Sequence, residues 1–138
     1  MIVVDASAVV DLLLGTEPFA AAVVDHLSAH KGDVHAPHLL DAEVAQVLRR
    51  YVLRDEVTPA RAGLALGRLA DLGVERYPHG PFLHRAFTFR DNVTIYDGLY
   101  LALAEALRAP LITRDAALRS VPGCSAVVTI VGLSDPDR

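Results

Sequence analysis

Four carboxylates occupy positions from which they could act together. Asp5 closes the run Val3-Val4-Asp5-Ala6-Ser7, and Glu43 lies in Leu40-Asp41-Ala42-Glu43-Val44. Asp97 stands three residues after Thr94, and Asp115 ends Leu111-Ile112-Thr113-Arg114-Asp115. Each has an ordinary structural explanation. An Asp after a strand is turn and capping chemistry. Glu43 near a helix start suits the helix dipole. Asp97 resembles the acidic half of a capping box with Thr94, and Asp115 could cap a short helix over 116–120. Their joint order says more than any one of them. The acids fall after the first strand, early in the third helix, at the opening of the late helix and after the fourth strand. Carboxylates gathered at one place cannot all stay ionised without compensation. Hard oxygen donors select Mg²⁺ or Mn²⁺ over softer metals. Such ions acidify water and stabilise both oxygens of an in-line phosphoryl displacement, which is the chemistry of phosphodiester hydrolysis.

The elements that must position these acids alternate between strand and helix. Ile2-Val3-Val4 is a β-branched buried-strand signal. Ser7 is the expected N-cap of a helix through Leu14, stopped by Gly15, and a second helix is expected from Glu17-Pro18 to about Ala29. Val34-His35-Ala36 reads as a strand, separated by Pro37 from a helix in which Leu40, Val44, Val47, Leu48, Tyr51 and Val52 recur at three- and four-residue steps. In that helix Glu43 falls about 40° beyond Val47, on the margin of the apolar stripe. Thr58-Pro59 opens a helix to about Leu72. A third strand is expected over 74–77, a short helix over 82–89, and a long apolar helix from Tyr96 to Arg108. In the last of these Asp97 shares a face with Leu101 and Ala104, so its carboxylate needs a partner or a cation. Leu111-Ile112-Thr113 and 126–131 complete five strands, and the tail over 134–138 is expected to be loose. Strands separated by helices imply a parallel sheet with helices on both faces. Its binding crevice lies at the carboxyl ends of the strands, where Asp5 and Asp115 are placed.

The bulk composition bounds the alternatives. At 138 residues, 52% hydrophobic and 22% charged, the chain reads as one globular domain spanning residues 1–138. No apolar run reaches the ~18 residues needed to span a bilayer. Met1 leads at once into Ile2-Val3-Val4 without a basic leader region, so the expected compartment is the cytoplasm. Cys124 is the only cysteine, which excludes an internal disulfide and a thiolate zinc cluster. The net charge of −4 is not the footprint of a nucleic-acid binder, but it counts the four acids that bound cations would neutralise.

The runs around the acids, namely Val3 to Val10, Leu40 to Val44, Tyr96-Asp97-Gly98-Leu99-Tyr100-Leu101-Ala102-Leu103-Ala104 and Leu111 to Asp115, together resemble the PIN-domain nucleases. Within that family the pattern is most similar to the VapC toxins of bacterial toxin–antitoxin pairs, in length, order and spacing across essentially the whole chain. The resemblance implies a PIN-like three-layer α/β/α sandwich around a mostly parallel five-stranded sheet. It implies that Asp5, Glu43, Asp97 and Asp115 are the catalytic and metal-holding acids, with Mg²⁺ as cofactor and Mn²⁺ able to substitute. By position, Thr113 matches a hydroxyl that braces the last acid, and Ser7 matches a small polar residue beside the first. Gly98 stands where alanine is commoner. The implied activity is endonucleolytic cleavage of RNA that leaves 5′-phosphate and 3′-hydroxyl ends. The implied partners are an RNA substrate, a VapB-type antitoxin that neutralises the activity, and a second copy in a homodimer. Arg114, beside Asp115, is the best candidate for an RNA phosphate contact.

Rival readings are an aspartate-based phosphotransfer domain, an RNA-processing nuclease of the same fold without a toxin role, and a non-catalytic PIN-like binding module. Phosphotransfer domains are expected to carry a lysine late in the chain, whereas Lys31 is the only lysine here and lies early. The phosphatase pattern places a second Asp where this chain has Ser7. Four intact acids weigh against the binding module. His35 and His38 lie near Glu43 in sequence and could border the cleft, against a plain structural role.

Overall fold

The computed structural model describes residues 1–132; the tail expected over 134–138 lies outside them. Strands β1 (Ile2–Val4), β2 (Val34–Pro37), β3 (Glu75–Tyr77), β4 (Leu111–Thr113) and β5 (Val128–Ile130) form one sheet in the order β3-β2-β1-β4-β5. Every pairing is parallel. The helices are α1 (Ala6–Leu14), α2 (Phe19–Ala29), α3 (Leu39–Leu53), α4 (Pro59–Asp71), α5 (Leu83–Thr88) and α6 (Ile95–Leu107).

β1 is apolar at every residue because both faces of the sheet are covered. Ile2 and Val4 join one core with Val9, Val23, Leu40, Val44, Leu48 and Leu69 from α1 to α4. Val3 points the other way, into a core built from Tyr100, Leu101, Leu103, Leu111 and Phe89. The result is the three-layer α/β/α sandwich expected from the sequence. No single helix among the described residues is long and apolar enough to cross a membrane.

Several boundaries differ from the sequence-based expectation. The N-cap of α1 is Asp5, not Ser7: Asp5 is extended (φ −84°, ψ 156°), and its carboxylate accepts from the Ala6 N–H. Pro37 is the last residue of β2 and not a breaker between that strand and α3. Its missing N–H is tolerated because the registered pairs between β2 and β1 end at His35. The segment expected as one short helix begins with a 3-10 turn over Gly80–Phe82 before α5. The short helix after Asp115 is a 3-10 turn over Ala116–Ser120.

β1 is followed by β2 on one side and flanked by β4 on the other, so the chain changes direction across the sheet between β1 and β4. In an open parallel sheet the crevice at such a switch point, outside the carboxyl ends of the strands, is where ligands bind.

Candidate active site

Asp5 leaves the end of β1 at this switch point and Asp115 follows β4 beside it. The two are tied together by hydroxyls. The Thr113 hydroxyl donates to Asp5 Oδ2 at 2.7 Å, and the Asp115 N–H donates to Thr113 Oγ1 at 3.0 Å. The Ser7 hydroxyl donates to the same Asp5 oxygen at 3.2 Å and accepts from the Arg114 N–H at 3.1 Å. Asp5 Oδ1 accepts from the Ala6 N–H at 2.7 Å. Thr113 is fully buried, so its hydroxyl has no water to turn toward. It braces the first acid with its own proton and the last acid through the backbone, rather than the last acid alone. Asp115 also accepts from the Ala117 N–H at 3.0 Å, the cap expected of it.

Glu43 and Asp97 arrive on helices. The start of α3 is pinned by two contacts. The Leu39 N–H donates to His79 Nε2 at 3.0 Å, and Arg76 grips Asp41 with Nε and Nη2 at 2.7 and 2.9 Å. That anchorage sets Glu43 at the edge of the apolar stripe, half-buried, with Oε1 buried and lacking a hydrogen-bond partner among the described residues. In α6 Thr94 accepts from the Asp97 N–H at 3.2 Å. This is the Thr94 half of the expected capping box. α5 closes on α6 at Gly98: a Cβ there would lie 3.0 Å from the Ala86 carbonyl oxygen. Arg85 on α5 and Glu105 on α6 pair through two bonds of 2.8 and 3.0 Å.

The electrostatics couple the four acids. Burial pushes the Asp5 carboxyl up, against the hydrogen bonds from Thr113, Ala6 and Ser7, and the charge of Asp115 pushes it further. Burial also raises Asp97, and Asp5 and Asp115 add to it, bringing it to about 6. Glu43 is raised by burial and by the charges of Asp5 and Asp97, with Tyr100 opposing. Three carboxyls that resist ionisation beside one another, one of them with an unpartnered buried oxygen, fit a divalent cation in chemical type and charge. Among the described residues no three such side chains converge closely enough to hold one ion by direct ligation alone.

Arg114 turns away from the acids. Its guanidinium pairs with Asp11 Oδ1 at 3.2 Å and lies over the Phe19 ring, 3.8 Å from the centroid. Asp11 is 3% exposed, with Oδ2 unpartnered among the described residues. His35 is buried in β2, the strand expected there, bonded to Tyr77 at 2.8 Å and to Asp33 at 2.7 Å, while His38 is exposed just past the strand. Sequence reasoning passed over Asp11 and Tyr100. A buried acid opposite an arginine 103 positions away leaves no local signal. For Tyr100 the available signal was a hydroxyl one turn after Asp97, on a helix that is apolar nearly all round.

Comparison with known proteins agrees with this architecture. The PIN domain model matches residues 2–123. The chain is 46% identical over 130 residues to ribonuclease VapC1 of Mycobacterium tuberculosis, covering 94% of this chain and 96% of that protein. Among solved structures, the M. tuberculosis toxin VapC20, described as cleaving the sarcin-ricin loop, superposes with a TM-score of 0.67 at 16% identity, covering 92% of this chain and 98% of that one. A toxin–antitoxin complex from Klebsiella pneumoniae gives 0.61 at 19% identity, covering 94% and 96%.

Proposed function

The chain belongs to the PIN-domain family, among the VapC-type ribonucleases, and from that premise we propose that it is the toxin of a VapBC-type pair: a Mg²⁺-dependent endoribonuclease restrained by a cognate antitoxin. The observation that carries the proposal is the set of coupled, ionisation-resistant carboxyls at the β1–β4 switch point. Asp5, Asp97 and Asp115 are the residues that would hold the cation, with Glu43 completing the site. Mn²⁺ should serve in place of Mg²⁺.

When bound, the cation supplies an acidified water and neutralises charge on the scissile phosphate. The protein supplies orientation. Thr113 and Ser7 fix the Asp5 carboxylate, so its reorganisation cost is met in the fold and not during the reaction. Asp97 and Glu43 reach the same cleft from α6 and α3. Arg114 is 39% exposed at its side chain and spends one nitrogen on Asp11, so a phosphate contact would use its remaining N–H groups. Single-stranded or loop RNA is the expected substrate, since its bases and backbone are accessible. One domain carries the whole activity. A second copy in a homodimer and a cytoplasmic setting complete the reading.

The test is cleavage of end-labelled single-stranded RNA by the purified chain. Products should carry 5′-phosphate and 3′-hydroxyl ends, EDTA should stop the reaction, and Mn²⁺ should restore it. Cleavage that persists in EDTA, or that survives Asp5→Asn unchanged, would refute the assignment.

A further inference from the structure

Two of the four acids are braced by donors, whereas Glu43 is not. Asp5 accepts three hydrogen bonds and Asp115 one. Glu43 accepts none at Oε1, although that atom is buried. The same is true of one more polar atom nearby. Tyr100 is 0% exposed, lies one helical turn after Asp97 on α6, and its hydroxyl has no hydrogen-bond partner among the described residues. A buried donor and a buried acceptor left unpaired are each costly, and the cost vanishes if they meet.

These two groups are neighbours. Glu43 is the foremost charge acting on the Tyr100 phenol, ahead of Asp5 and Asp97. Tyr100 is in turn the side chain that favours ionised Glu43. They stand within electrostatic reach of each other but short of standard hydrogen-bond geometry. The phenol suits the task of a fixed donor. A phenol carries its proton at neutral pH. Its ring is locked in the core with Leu101 and Leu103, beyond the reach of water.

We propose that Tyr100 is the positioning residue for Glu43: its hydroxyl donates to the buried Oε1 and thereby directs Oε2 into the acidic cleft, toward a divalent cation. The inference rests on reading the cleft as a cation site. It assigns Glu43 a bracing partner of the kind that Thr113 and Ser7 provide for Asp5. Loss of such a partner typically weakens metal affinity by about 10- to 100-fold.

The test is Tyr100→Phe, which keeps the ring and removes only the hydroxyl. Mn²⁺ binding, read from the signal of free Mn²⁺ by electron paramagnetic resonance, should weaken about tenfold, equivalent to about 1.4 kcal/mol. The KM for RNA should stay unchanged, and the melting temperature should not rise, because Glu43 Oε1 is left buried without its donor. In a Glu43→Gln background Tyr100→Phe should weaken Mn²⁺ binding no further. Parent-like Mn²⁺ affinity in Tyr100→Phe would overturn the proposal, as would additive effects in the double variant. Should Tyr100→Phe not fold, the tyrosine Raman doublet of the parent decides. A donor signature that grows on Mn²⁺ addition supports the bond, and an unchanged spectrum overturns it. A parent that binds no Mn²⁺ defeats the cleft reading itself, and the proposal with it.

Discussion

Asp97→Asn should make the metal-free protein more stable while abolishing its activity. The Asp97 carboxyl is held at about 6, against 3.8 for an ordinary aspartate, by burial and by Asp5 and Asp115. The folded state therefore binds this proton more tightly than the unfolded chain does. Stability is fully present below about pH 4 and is lost as pH rises from there through 6. A shift of about two units corresponds to roughly 3 kcal/mol at 1.36 kcal/mol per unit. The side chain is only half-buried, so solvent screening leaves on the order of 1–2 kcal/mol. Removing the charge should return that amount, a rise of ~3–6 °C in melting temperature for a domain of this size. The assay is thermal or urea unfolding in EDTA at pH 7.5 and at pH 4. The gain should appear at pH 7.5 and vanish at pH 4, where Asp97 is protonated in the parent. Added Mg²⁺ should reverse the ranking, because it stabilises the parent by binding and leaves the variant almost unmoved. An Asp97→Asn protein no more stable than the parent at pH 7.5, or equally stabilised at both pH values, would refute the reasoning.

Thr113→Val should keep the buried shape but leave Asp5 Oδ2 with Ser7 as its one hydroxyl donor and the Asp115 N–H without its acceptor; RNA cleavage should fall about 10- to 100-fold, and full activity would show that these bonds do not position the acids. Arg114→Ala strips the partner from Asp11, which is 3% exposed; urea unfolding should show a loss of about 3 kcal/mol, largely recovered by adding Asp11→Leu, and a neutral single variant would contradict the pairing. Gly98→Ala gains about 1 kcal/mol of helix propensity but places a methyl 3.0 Å from the Ala86 carbonyl oxygen; a net loss of about 1 kcal/mol is expected from this overpacking, and a stabilised variant would show that α5 yields without cost.

Much of the fold is legible in the amino-acid sequence. Period-3.6 stripes in α3, β-branched triplets such as Ile2-Val3-Val4, and the Thr58-Pro59 opening of α4 are local signals, and each matches an observed element. Boundaries are less legible where two residues compete for one role. Asp5 and Ser7 can both cap a helix, and the choice falls to Asp5 because β1 ends in an extended residue whose carboxylate already reaches the Ala6 N–H. Ser7 is thereby released to serve Asp5 and Arg114. Pro37 reads as a breaker because local rules cannot see that the strand's pairing with β1 has ended before it.

The four acids are legible as candidates through their types and their order along a βα chain, since metal chemistry constrains residue type and topology constrains spacing. Whether they meet is a tertiary matter. The order β3-β2-β1-β4-β5 puts the ends of β1 and β4 side by side, a juxtaposition of residues more than a hundred positions apart. The depth of burial that pushes Asp97 to about 6, the hydroxyl chain from Thr113 to Asp5, and the Arg114–Asp11 pair over Phe19 depend on the same long-range packing. So does Tyr100, which by composition is one more apolar-helix residue. Only the folded chain makes its hydroxyl the neighbour of Glu43. The sequence alone determined which groups could do the chemistry, because donor type is a property of the side chain. The tertiary structure decided their charge states and their bracing, because desolvation and hydrogen bonding depend on what the folded chain brings near.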